Sequence, residues 1–563
     1  MIRKISAVSL TAALVLTGCT GYSPTPATVV PPAVLTPVTS PQVIKHVVVI
    51  FNENISFDHY FGTYPNAANL SSDAVKFTAA TGTPTNIANY VTSPDLLTAN
   101  PNLNIANGAS ATNPFRLDPN QAGTNDQDHN YGPEQTAFDG GKMDLFPMSV
   151  GTSDGLALAT ATEAPSIANT TGLTMGYFDG NTVTAMWNYA QHYAMNDHSF
   201  GSTFGASTQG ALNLAAGQTN DVATYTTGAA SGVVADGQGG FTLIGDEDPA
   251  NDVCSSASAN VSMGGTSIGD LLNTAGVTWG MFSGGFNLGI TNSNGTTGCG
   301  RTSAPVSIPG HPLKADYIPH HEPFQYYPST ANPTHIRPAS TAVIGTSADT
   351  GASTANHQYD IQDFSAALAA GNLPAVSFLK APGFQDAHAG YSDPLDEQTF
   401  VVNTINAIEQ SSFWSSTAII IAYDDSDGWY DHLTDFVNGS ATAADSLNGA
   451  GLCISPTAAA AALPGPKSNG LPVQGRCGHG PRLPLLVISP WANKNYIDNT
   501  VTDQASVIRF IEDTFLASKR IGGGSFDATA GTLNNLFNFT NNVAPNPNVV
   551  VLNPTTGVVT SGN

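Results

Sequence analysis

Two segments of this chain run from β-branched residues straight into acids and amides. Val43–Phe51 leads into Asn52, Glu53 and Asn54, and Ala418–Tyr423 leads into Asp424 and Asp425. A buried strand that delivers adjacent carboxylates is costly unless the charges meet a cation. Glu53, Asn54, Asp424 and Asp425 offer only oxygen. That donor set suits one divalent ion of the hard kind, such as Mg, Ca or Mn. A third segment, Gly201–Leu212, frames Ser207 with glycines ahead of an Ala/Leu-rich stretch. This places a hydroxyl at a helix N-terminus, where free N–H groups and the helix dipole favour an anion such as phosphate. A metal beside that hydroxyl lowers its pKa and makes it a nucleophile. Histidines in polar loops complete the set: His129, the pair His320 and His321, and His388. Asp386 lies two residues before His388 and is placed to orient it. A protonated His can give a proton to a leaving alkoxide. Taken singly, each segment also fits a plainer role as a solvated turn, a Ser cap or a structural His. His46 and His192, inside strand and helix patterns, read as structural.

Other chemistries lack their signatures. The spacing around Ser207 is not G-x-S-x-G, which counts against a nucleophile elbow. No G-x-x-x-x-G-K-[ST] occurs, and no C-x-x-C. The 563 residues include 17 Lys and Arg against 42 Asp and Glu, a formal net charge of −25. Only 10% of residues are charged, against about 25% in a typical soluble chain. So few cations argue against binding nucleic acid or docking electrostatically on an anionic membrane. With 41% hydrophobic residues and a mean hydropathy of −0.05, the chain can still bury a large core.

The elements that must position these residues alternate. Apolar runs at Val43–Phe51, Val277–Phe282, Ala375–Leu379, Ala418–Tyr423 and Leu483–Ile488 read as strands buried on both faces. Thr182–Ala194, Val401–Trp414 and Asp503–Leu516 read as helices, the last with Asp503 as its cap. Parallel strands with crossover helices follow from this order, and ligands bind beyond the carboxyl ends of such strands. Gly/Asn/Ser/Thr-rich stretches at 62–125, 220–265, 285–355 and 435–475 read as insertions over the core.

The first residues read as an address. Arg3 and Lys4 precede the apolar run Ala7–Leu16, too short to span a bilayer, and Leu16-Thr17-Gly18-Cys19 follows. That end resembles a bacterial lipoprotein box with Cys19 lipidated; the alternative is an ordinary cleaved signal. The domain reading is a signal peptide over 1–18, a Pro/Thr-rich tether over 19–42, a catalytic domain over 43–520 and an irregular segment over 521–563. The protein is expected to be exported: periplasmic, anchored to the outer membrane through Cys19, or secreted. Four further cysteines suggest two disulfides. The pairing Cys254–Cys299 with Cys453–Cys477 is preferred because each closes one loop-rich segment.

Together these segments resemble the bacterial phosphoesterase family that contains non-haemolytic phospholipases C and acid phosphatase A-type enzymes. The matching pieces are Glu53–Gly62, Asp126–His129 with Gly140–Asp144 after it, Gly205–Ala211, Asp386–Pro394, Tyr423–His432 and Gly480–Pro484. They stand in family order. The resemblance implies an alkaline-phosphatase-like three-layer α/β/α sandwich with a mostly parallel sheet. It implies a metal held by Glu53, Asn54, Asp424, Asp425 and Ser207, with Ser207 the nucleophile and His129 and His388 near the phosphate. His320, His321 and Asp386 are carried as substrate-binding candidates. Two departures stand out. Ile55 occupies the usual Arg position, and Gly205-Ala206-Ser207-Thr208-Gln209 lacks both prolines of the family pattern, which leaves Thr208 as an alternative nucleophile.

The activity this implies is metal-dependent hydrolysis of phosphomonoesters through a phosphoserine. Phosphatidylcholine-type diesters are the second substrate class, for which Trp429, Tyr430, Phe324, Tyr326 and Tyr327 are candidates for a choline cage. A non-catalytic outer-membrane lipoprotein and a metal-independent Ser-His-Asp esterase are the readings from other classes. The expected partners are small phosphate esters or phospholipid head groups, and no nucleic acid.

Overall fold

The computed structural model describes residues 43–151, 166–235, 240–307, 312–435, 478–540, 544–547 and 549–562. Cys19, Cys453 and Cys477, the signal and the tether lie outside them.

The apolar runs form one eight-stranded sheet. In chain order its strands are β1 (His46–Asn52), β2 (Ala194–Asn196), β3 (Trp279–Ser283), β4 (Gln358–Asp360), β5 (Val376–Lys380), β6 (Thr417–Tyr423), β7 (Leu485–Ile488) and β8 (Tyr496–Asp498). Their spatial order is β4-β3-β5-β1-β6-β7-β2-β8. The central strand β1 is parallel to both neighbours, with Val49 opposite Phe378 on one side and Ile420 on the other. Val47–Ile50 have no exposed surface, as a run apolar on both faces requires. The fold is an α/β sandwich on a mostly parallel sheet.

One expected direction is reversed. β7 runs antiparallel to β6 and to β2, with Ile420 opposite Val487. The cause lies just upstream. Arg482 is held by Asp58 and Asp431, residues that follow the carboxyl ends of β1 and β6. The chain therefore enters β7 from that end and must run back. The three short strands β2, β4 and β8 were not anticipated, because three residues carry no readable period.

The helix expected over Val401–Trp414 spans Pro394–Glu409 instead. Asp393 caps it by accepting from the N–H groups of Leu395 and Asp396, and Pro394 takes the first helical position. The other two expected helices lie at Thr184–His192 and Ala505–Phe515. Helices at Ile268–Ala275 and Ile361–Ala370, each with a reciprocal cap at its start and a left-handed Gly at its end, fill the crossovers. A disulfide joins Cys254 to Cys299, as expected. The described part of the tail packs on the Pro394–Glu409 helix, where Asn406 Nδ2 donates to Leu552 O (2.8 Å).

Candidate metal and phosphoester site

Neighbouring strands deliver the site. β5, β1 and β6 lie side by side, so their ends bring Lys380, Glu53–Asn54 and Asp424–Asp425 together. Asn54 sits at φ 57°, a left-handed conformation that Asn tolerates better than most residues. Its backbone N–H donates to Asp424 Oδ1 at 2.9 Å, which locks the two strand ends to each other. Ser207 is the first residue of the helix Ser207–Ala216. Its hydroxyl donates to Glu53 Oε2 at 2.9 Å and lies 3.3 Å from Asp425 Oδ2. Gly210 permits that approach, since a Cβ there would meet Asp424 O at 2.2 Å. Gly205 turns the entering chain at φ +118°, and its N–H donates to Glu134 Oε2 at 3.0 Å.

Glu53, Asn54, Ser207, Asp424 and Asp425 are all buried. Lys380 pairs with Glu53 Oε1 and lies 3.8 Å from Asp424 Oδ2. One ammonium thus faces two carboxyl groups. Against the upward pull of burial, His321 and Lys380 hold Glu53 well below the usual carboxylate range. Burial and the Glu53 charge push Asp424 well above it. Burial outweighs His129 and pushes Asp425 up to about 7. Asn54 Oδ1 and Asp424 Oδ2 are buried with no hydrogen-bond donor. Unsatisfied oxygens beside crowded carboxyls fit a hard divalent cation, with Glu53, Asn54, Asp424, Asp425 and the Ser207 hydroxyl as its donors.

The histidines divide differently from the expectation. His320 and His321 are adjacent but serve two places. His320 lies between Asp246 (3.3 Å) and Asp248 (3.2 Å). His321 belongs to the acid cluster, with Nδ1 3.1 Å from Glu53 Oε1 and 3.8 Å from Asp386 Oδ2. Asp386 does not orient the His388 ring. Its Oδ1 accepts the His388 backbone N–H at 3.1 Å, while ring Nδ1 lies 2.6 Å from Ala389 O. The two-residue spacing favours a local turn over a reach to the ring. The His129 and His388 rings lie 5.8 Å apart, yet they titrate oppositely. Burial brings His388 down to about 3. At His129, Asp425, Asp126 and Asp427 overcome burial and raise the imidazole well above its usual value. Thr208 points elsewhere, its hydroxyl donating to Asp246 Oδ1 at 2.6 Å.

A cavity of about 400 Å³ opens beside Ala206, lined among others by His129, Asp246, Lys314, His320, His388 and Tyr391. The expected choline-cage residues do not line it. Trp429, Tyr430, Phe324, Tyr326 and Tyr327 are all buried, Trp429 stacked on His59 at 3.9 Å. Aromatic residues flanking an acidic motif turned out to be core.

Lys380, Asp427, Asp246 and Lys314 were missed. Lys380 had a signal: the run Ala375–Leu379 stops one residue short of it, and a cation ending an apolar strand is conspicuous in so cation-poor a chain. A second acidic cluster lies close by in sequence. Arg482 Nη2 donates to Asp58 Oδ1 at 3.0 Å, and Nε to Asp431 Oδ1 at 3.0 Å. His432 Nδ1 lies 2.5 Å from Asp58 Oδ2.

Residues 44–517 match the family model described as the phosphoesterase family, and the chain belongs to that family. The non-hemolytic phospholipase C of Pseudomonas aeruginosa is 33% identical over 174 residues, 31% of this chain and 24% of that protein. Phospholipase C A of Mycobacterium tuberculosis is 27% identical over 187 residues, 33% of this chain and 34% of that protein. Non-specific phospholipase C6 of Arabidopsis thaliana is 26% identical over 152 residues, 25% of this chain and 24% of that protein. The matches thus span about a third or less of each of these relatives.

Proposed function

We propose that this phosphoesterase-family chain is an exported, metal-dependent hydrolase of phosphomonoesters, of the acid phosphatase type, that works through a phosphoserine at Ser207. The observation that carries the reading is the Ser207 hydroxyl at a helix N-terminus, 2.9 Å from Glu53 and 3.3 Å from Asp425. Glu53, Asn54, Asp424 and Asp425 would hold a divalent cation, which when bound would supply Lewis acidity, lowering the hydroxyl's pKa and offsetting charge on the phosphate.

The chain's own groups do the rest. Ser207 Oγ forms the new bond to phosphorus, and its proton passes to a carboxylate that already accepts its hydrogen bond. The bond to the leaving oxygen breaks in line. His129, kept protonated by Asp425, Asp126 and Asp427, gives the leaving oxygen its proton. His388, neutral at ordinary pH, is left to line the pocket and accept hydrogen bonds. Water then attacks the phosphoserine and gives a proton back to His129, while the bond from phosphorus to Ser207 Oγ breaks, the carboxylate returns its proton to Ser207, and phosphate leaves.

The second reading, a phospholipase C, is favoured by the names of the relatives. Against it, Tyr391 is the one Phe, Tyr or Trp side chain among the described residues lining the cavity. The deciding experiment assays p-nitrophenyl phosphate and p-nitrophenyl phosphorylcholine in parallel, across pH, with and without chelator. Chelator-sensitive hydrolysis favouring the monoester supports the proposal; preference for the choline diester overturns the substrate assignment. Chelator-insensitive turnover overturns the metal. Export with lipid on Cys19 is part of the same proposal. Replacing Cys19 with Ser should release the protein from membranes, and unchanged fractionation would refute the anchor. No helix of the described residues is long and apolar enough to cross a membrane.

A further inference from the structure

The charged groups around the cavity are nearly all paired. His320 lies between Asp246 and Asp248, and His129 lies near Asp126 and Asp427. Lys314 differs. Its ammonium rests 3.9 Å from the centroid of the Tyr391 ring, and both residues line the cavity. No carboxylate among the described residues forms an ion pair with it. Its backbone is held by antiparallel pairing of Lys314–Ala315 with Thr302–Ser303, just after the disulfide at Cys299. A cation with no ion-pair partner among the described residues, in a chain of net charge −25, is a local attractor for an anion. The same ammonium covers the one phenol face the cavity offers, so a quaternary ammonium would meet a like charge there.

We propose that Lys314 recognises a second negative group, a carboxylate or a further phosphate, on the leaving part of a small phosphomonoester. This rests on the phosphomonoesterase reading above. The reacting phosphate belongs at Ser207, next to Ala206 on the cavity wall, and the leaving group extends toward Lys314 and Tyr391. A cavity of about 400 Å³ suits a small ester.

The test compares kcat/KM for 3-phosphoglycerate and glycerol 3-phosphate, primary phosphate esters of similar size in which a carboxylate replaces a hydroxymethyl group. The wild type should favour 3-phosphoglycerate by about tenfold, the scale of one ion pair. Lys314→Met should collapse that ratio, mainly through KM, and Lys314→Arg should restore most of it. A ratio unchanged in Lys314→Met, with circular dichroism matching the wild type, overturns the proposal. If only p-nitrophenyl phosphorylcholine is turned over, the monoesterase reading fails by itself. Lys314 is then read from inhibition of that reaction. Stronger inhibition by 3-phosphoglycerate than by glycerol 3-phosphate, lost in Lys314→Met, supports anion recognition; equal inhibition refutes it.

Discussion

Two buried acidic clusters grow from the same two segments of this chain, and they are neutralised in different ways. Asp58 and Asp431 share the guanidinium of Arg482, and the backbone N–H groups of Asp58, His432 and Leu433 supply the remaining donors. Every carboxylate oxygen there has a partner. A few residues upstream, Glu53 and Asp424 share the single ammonium of Lys380, the Ser207 hydroxyl and backbone N–H groups answer some of the other oxygens of the cluster, and Asn54 Oδ1 and Asp424 Oδ2 have no hydrogen-bond donor. Burial alone does not mark a functional site. Buried acids whose own chain leaves oxygens unanswered do, because those oxygens must find a cation or protonate.

The sharpest way to break this contrast is a pair of substitutions with opposite effects. Ser207→Ala should lower turnover of p-nitrophenyl phosphate by about a thousandfold or more while shifting the melting temperature by no more than about 2 °C. Arg482→Met should do the reverse. It removes the guanidinium that two buried carboxylates share and should cost about 3–5 kcal/mol of stability, read from urea unfolding. Equal stability losses in both variants would erase the distinction.

Two smaller effects sharpen it. Thr208→Val removes the bond to Asp246 and should cost about 1 kcal/mol of stability with turnover reduced less than tenfold. A thousandfold loss would move the nucleophile to Thr208. Glu409 shows a third way to keep a buried acid, by hydrogen bonds from a phenol and a backbone N–H. Burial pushes its pKa up to about 7, although Tyr193 and Val550 donate to it. Its folded value lies above the ordinary one near 4.5. Its stabilising contribution is therefore complete below about pH 4.5 and lost as pH rises through about 7. Glu409→Gln should flatten that loss, giving a gain over wild type of about 2–3 kcal/mol at pH 8 relative to pH 5. An identical pH profile in the two proteins would contradict it.

The long strands and the oxygen ligands were legible because both are written locally. A β-branched run ending in Glu53-Asn54 or Asp424-Asp425 announces a strand and its burden in one stretch. Ser207 was legible for the same reason, as a Gly-framed hydroxyl before a helix. Partners set by topology were not. Nothing adjacent to His321 says that it faces Glu53 while His320 lines the cavity; that is set by tertiary contacts with residues distant in sequence. The direction of β7 was hidden likewise, because it depends on Arg482 reaching Asp58 across the sheet ends. The short strands β2, β4 and β8 are specified by their neighbours rather than by their own residues.

The central claim is that Glu53, Asn54, Asp424 and Asp425 hold a divalent cation. It is tested most directly by metal content, measured by mass spectrometry on purified wild-type protein and on Asp424→Asn. The account predicts about one equivalent in the wild type, severalfold less in the variant, and activity that tracks the difference. Equal metal content in the two proteins, or full activity in a wild type stripped of metal, would contradict it.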